Sequence, residues 1–152
     1  MAVFYSFHYV PDHWRVQQVR NIGAIQNDGA IASQEWEKVR YLSTNSIKNW
    51  IDTQMSYKRA VVVLIGQETA SRDWVQYEIK RAWNLKKPLL GIRIHGLKDQ
   101  RGLTTYPGED PFQKIGLRGI PVFTPIGTDS QTKYRNIQEN LNLWINQGYR
   151  RP

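Results

Sequence analysis

Cysteine is absent from this 152-residue chain. That excludes disulfide cross-links, thiolate nucleophiles and cysteine-based zinc sites, and it permits a reducing compartment. Long apolar runs are absent as well. The longest, Ala60 to Ile65, falls far short of the roughly 20 residues a membrane span needs. The opening MAVFYSFHYVPDHW has no basic segment followed by an apolar stretch, so no signal peptide is expected and a cytoplasmic location is. Histidine is sparse: His8, His13 and His95, without HExxH or paired spacing, so no metal site is expected. No GxxxxGK[ST], no GxGxxG after a strand and no GxSxG occurs, which argues against P-loop, dinucleotide-binding Rossmann and elbow-serine hydrolase chemistry.

Acidic residues are the scarcer charge, 13 against 21 Lys and Arg, for a net charge of +8. A basic surface favours anionic partners. The positive charges are scattered, however. Even the densest stretch, Lys80 to Arg101 with seven Lys/Arg, forms no continuous block. Nucleic acid and membrane are therefore not expected partners.

Aromatic residues are plentiful: six Trp, eight Tyr and four Phe, which need a packed interior. Val3–Phe7, Ala60–Ile65 and Leu89–Ile94 are short apolar runs rich in β-branched residues and read as buried strands. A short edge strand is expected within Ile120–Phe123, limited by Pro121 and Pro125. Helical spacing appears from Ile47 through Met55, over residues 73–86 and from Thr132 to Asn146, with a further helical piece at Glu35–Leu42. Ser46 and Ser71 are the expected N-caps of the first two. Residues 11–33 and 95–119 read as long loops. Strands alternating with helices predict a single α/β domain over residues 1–152, a flavodoxin-like doubly wound, mainly parallel sheet with helices on both faces. Ligands of such sheets bind beyond the carboxyl ends of the strands, here Phe7-His8-Tyr9, Gly66-Gln67-Glu68 and His95-Gly96.

The candidate chemistry lies in Trp74-Val75-Gln76-Tyr77-Glu78. Trp74 and Glu78 are four apart and share a helix face beside the Val75/Ile79/Ala82 stripe. From spacing alone two readings stay open: Glu78 as a carboxylate in the ligand crevice, or Glu78 as a surface residue paired with Lys80 or Arg81. Phe7, Tyr9 and Trp14 are candidates to stack on a flat ligand or simply to pack the loop. Arg15 and Arg20 are candidate phosphate contacts or solvated surface charges.

Trp74 and Glu78 match the W-x-x-x-E element of the Toll/interleukin-1 receptor (TIR) family, and the aromatic first strand Val3–Phe7 resembles the opening strand of that fold. More closely, VFYSFHYVPDHWRVQQVRNIG, Trp50, VVLIGQETASRDWVQYEIKRAW and LLGIRIHGLKD resemble the TIR-like proteins of the bacterial Thoeris anti-phage system, over roughly residues 3–100. The compact loop after the second strand of typical TIR domains has no counterpart assigned here. The resemblance implies an NAD-consuming enzyme that releases nicotinamide and makes a cyclic ADP-ribose-type signal for a separate effector protein. It assigns the catalytic role to Glu78 and substrate binding to Phe7 and His8; the residue types themselves add Trp74, Trp14 and Arg20 as further substrate-binding candidates. NAD is then substrate, no cofactor or metal is implied, and homo-oligomerisation on activation is expected. One carboxylate is chemically sufficient: nicotinamide leaves as a neutral molecule, so no general acid is needed, unlike the two-carboxylate glycosidases. A non-catalytic TIR-like interaction module and a nucleoside deoxyribosyltransferase-like enzyme with a covalent intermediate are the alternatives.

Overall fold

The computed structural model describes residues 3–25 and 41–152. Val61–Ile65 forms β2, paired on both sides as its unbroken apolar sequence predicts. It lies between β1 (Phe4–Ser6) and β3 (Leu89–Arg93), and β4 (Val122–Phe123) adds to the far side of β3. All these pairings are parallel, with Phe4 opposite Val61, Val61 opposite Leu89 and Gly91 opposite Val122. Parallel neighbours require crossover connections, and helices supply them. They are α1 (Tyr9–Ile25), α2 (Thr44–Ser56), α3 (Asp73–Asn84), the single-turn α4 (Pro111–Lys114) and α5 (Ser130–Asn146).

Side-chain alternation along the strands splits the core in two. Tyr5, Val62, Leu64, Leu90 and Ile92 face α1 and α5, meeting Val16, Val19, Ile22, Ile137 and Leu141. Phe4, Val61, Val63, Ile65 and Leu89 face α2 and α3, meeting Ile51, Met55, Val75 and Ile79. Each buried aliphatic side chain contributes roughly 1.5–3 kcal/mol, so both helix layers are held by the strands themselves. The expected doubly wound α/β architecture is present.

Several expectations are corrected. Residues 11–25 are helix, not loop. Pro11 sits in the first turn of α1, where its missing N–H costs no hydrogen bond. Inward-facing polar residues disguise the apolar face of this helix: Asp12, Arg15 and Arg20 are all buried. Ser43, not Ser46, caps α2, its hydroxyl accepting the Ser46 N–H. Ser71 lies in a 3₁₀ turn, Thr69–Ser71, so α3 begins after Arg72 without a side-chain cap. Asp129 caps α5 through a reciprocal bond with Thr132 and starts it two residues early. The 95–119 loop holds α4, capped by Asp110. The helix expected at 35–42 falls largely outside the described residues, and Tyr41 and Leu42 are not helical.

Candidate active site

β1 and α3 build the site together. Ser6 is two residues beyond Phe4 and therefore projects toward α3. On α3, Glu78 lies one turn from Val75 and beside Ile79 and Ala82, so it is carried inward with them. The two meet: Ser6 Oγ donates to Glu78 Oε1 at 3.0 Å, a bond buried between residues 72 apart in sequence.

Glu78 is 9 % exposed, and what is exposed faces a cavity of about 450 Å³. The surface-residue reading of Glu78 is overturned. Arg81, its candidate partner, instead binds Asp52 at 2.9 Å together with Tyr77. Burial pushes the Glu78 carboxyl up to about 8, and the Ser6 hydrogen bond only partly opposes this. Burial thus favours the protonated acid over the carboxylate at this position.

Phe7, His8, Trp74 and Glu78 line the same cavity, with Arg72 and Asp73 where α3 begins. The Trp74 ring meets Tyr77 edge-on at 5.7 Å, which holds it against the helix. Burial and the nearby Arg72 lower the pKa of His8, which favours its neutral form, and its Nδ1 is buried without a partner among the described residues. Trp14 and Arg20 lie elsewhere. They line a smaller pocket of about 170 Å³ that shares only Phe7 and Tyr9 with the Glu78 cavity. Trp14 is 50 % exposed there.

Neither Arg15 nor Arg20 is a solvated surface charge. Arg15, 1 % exposed, donates to the Leu97 and Leu103 carbonyls at 2.7 and 2.8 Å and to Asp12 at 3.1 Å. It clamps α1 to the 97–103 loop and is spent on structure. Arg20 is 3 % exposed. Ser6 and Arg72 are site components that the sequence pattern did not single out. Strand alternation from Phe4 was the signal that pointed Ser6 at the α3 face. Among the described residues no three His, Asp or Glu side chains converge on a possible metal position. No helix of the described residues is long and apolar enough to cross a membrane.

A parallel sheet flanked on both faces, with the W-x-x-x-E glutamate buried against the first strand, defines a TIR-like domain. The chain belongs to the family of the Thoeris protein ThsB, TIR-like domain, whose model matches residues 4–99. It is 33 % identical over 122 residues to a protein of Bacillus cereus (strain MSX-D12) named "Putative cyclic ADP-D-ribose synthase ThsB1". The match covers 76 % of this chain and 63 % of that relative, so the chain spans less than two thirds of the relative's length.

Proposed function

We propose that this protein cleaves NAD at the nicotinamide–ribose bond and closes the remainder into a cyclic ADP-ribose-type signal, with Glu78 as the catalytic carboxylate. The observation that carries this reading is a buried glutamate, joined to a neutral serine hydroxyl, at the wall of a cavity large enough for a nucleotide portion. The name of the Bacillus cereus relative supports the same chemistry. In the first step the bond between ribose C1′ and the pyridinium nitrogen breaks, and its electron pair leaves with neutral nicotinamide. The ribose is left as an oxocarbenium ion; a nucleophilic atom of the same molecule bonds to C1′, and one proton is released to solvent.

The raised pKa of Glu78 fits this sequence. The pyridinium cation favours an ionised neighbour, so substrate entry exchanges the proton of Glu78 for the substrate's own charge. Charge complementarity is then present as the oxocarbenium develops. Ser6 holds Oε1, leaving Oε2 to meet the ribose. Phe7 and Trp74 offer aromatic surface to nicotinamide, His8 offers an unsatisfied ring nitrogen, and Arg72 adds a cation at the cavity wall. Release of the signal into the cytoplasm, for an effector to sense, completes the reading.

Nicotinamide release from NAD by the purified protein, beside Glu78→Gln, with product masses recorded, tests this. Release that vanishes in the variant, with a product one water lighter than ADP-ribose, is expected. Undiminished release from Glu78→Gln would remove Glu78 from the role. No release from wild type, in buffer or in extracts of phage-infected cells, would favour a non-catalytic module.

A further inference from the structure

A second polar cluster lies two strands away from β1, where β3 ends. Arg93, His95 and Gly96, with Thr124 and Pro125 beyond β4 and Lys133 from α5, surround a recess of about 10 Å³. That is room for one water-sized group. His95 Nδ1 is buried and has no partner among the described residues. The same holds for Thr105 Oγ1, whose backbone N–H donates to the His95 carbonyl at 3.0 Å. Lys133 lies directly over Gly96, close enough that a Cβ there would come within 2.7 Å of Nζ. Arg93 is anchored beside it through the Gly108 carbonyl.

Burial lowers the His95 pKa, and the cations Lys133 from α5, Arg93 from β3 and Arg15 from α1 lower it further. Arg15 is already paired with Asp12 and Asp99, which leaves Lys133 and Arg93 as the cations of the recess. Such a set of donors repels metal cations and suits an oxyanion. The position beyond the carboxyl ends of parallel strands is where open α/β sheets take ligands. Buried polar atoms without partners are rare in native proteins, and here the His95 Nδ1 is one of them on a residue lining the recess together with Lys133 and Arg93.

We infer that this recess is an oxyanion site in which Lys133, Arg93 and His95 hold a phosphoryl group, one oxygen entering the recess and the others at its mouth. The inference is independent of what Glu78 does. The phosphoryl group belongs either to inorganic phosphate or to the diphosphate of a dinucleotide.

Histidine ring signals, followed by NMR in phosphate- and sulfate-free buffer, test the site. Inorganic phosphate is titrated into the wild type, and NAD into Glu78→Gln, which prevents turnover. His95 is expected to shift saturably and His13 to stay still. The His95 pKa should rise on binding, because an anion favours the imidazolium. Lys133→Ala is expected to weaken binding roughly ten- to hundred-fold, the usual worth of a charged hydrogen bond. Gly96→Ala keeps every charge but displaces Lys133 Nζ, and it should weaken binding too; it carries the test if Lys133→Ala does not fold. Saturation by phosphate alone assigns the free anion. Saturation by NAD that phosphate displaces assigns the dinucleotide. No saturable His95 response to either, or equal affinity in wild type and both variants, overturns the site.

Discussion

Two buried carboxylates stand on helices that flank opposite faces of the sheet, and they do opposite things. Asp12, 2 % exposed on α1, is paired with the Arg15 guanidinium at 3.1 Å. Among the described residues, Glu78 on α3 has a neutral hydroxyl as its hydrogen-bond partner. Burial raises both pKa values, but for Asp12 the Arg15 charge and hydrogen bond work against that rise. A cation partner turns a buried acid into a structural fixture. A neutral partner leaves it ready to exchange its proton for a charged ligand.

Removing the cation should give the largest effect on stability. Arg15→Ala strands Asp12 and releases the Leu97 and Leu103 carbonyls, so a loss of roughly 3–5 kcal/mol in urea unfolding is expected. The loss should shrink at acid pH, where Asp12 takes a proton. An unchanged unfolding midpoint would show that the clamp contributes nothing.

Glu78→Gln should lower nicotinamide release by ~10²–10³-fold, the usual scale for a preorganised electrostatic group. The same change should act oppositely on stability. The folded pKa of about 8 lies above the ordinary 4.5, so the folded protein binds more protons than the unfolded chain between these values. Wild-type stability therefore falls as pH rises from about 4.5 to about 8, by up to roughly 5 kcal/mol from the linkage. Thermal unfolding of Glu78→Gln should match wild type near pH 4.5 and exceed it increasingly toward pH 8. Parallel curves would mean that Glu78 is ionised in the folded state throughout.

A smaller effect comes from Gly66, at the end of β2. A Cβ there would run into the Asp12 carboxylate, so Gly66→Ala should cost roughly 1–3 kcal/mol through overpacking. If instead thermal unfolding stays at the wild-type temperature, Asp12 has more freedom than its pairing with Arg15 implies. The smallest change is Ser6→Ala, at about 1 kcal/mol for one buried hydrogen bond. That bond lowers the Glu78 pKa. Without it, the alkaline rise of kcat/KM for NAD should move to higher pH than in wild type. A rise that stays in place would separate Ser6 from the carboxyl it touches.

Much of this fold was legible in the chain. Val61–Ile65 and Leu89–Arg93 are continuous apolar runs, and both became doubly covered parallel strands. α3 was readable from its Val75/Ile79/Ala82 stripe, and Trp74 and Glu78 from their spacing within it. α1 was not, because Asp12 and Arg15 satisfy each other on its inward face, where periodicity looks for apolar residues. Trp14 and Arg20 share the aromatic segment of Phe7 and His8, yet α1 carries them around Tyr9 into a separate pocket. Adjacency in a presumed loop said nothing about which side of a helix each would occupy.

The division follows from the range of the forces involved. Strand, helix and the face on which Glu78 rides depend on residues within a few positions of one another, so they are written locally. The pairing of Glu78 with Ser6, and of Arg15 with the Leu97 and Leu103 carbonyls, joins residues 72 to 88 positions apart. Only packing of α3 against β1, and of α1 against the loop beyond β3, brings those partners within hydrogen-bonding reach. Burial then sets the protonation of Glu78, since a carboxylate loses its hydration only when the folded chain closes around it.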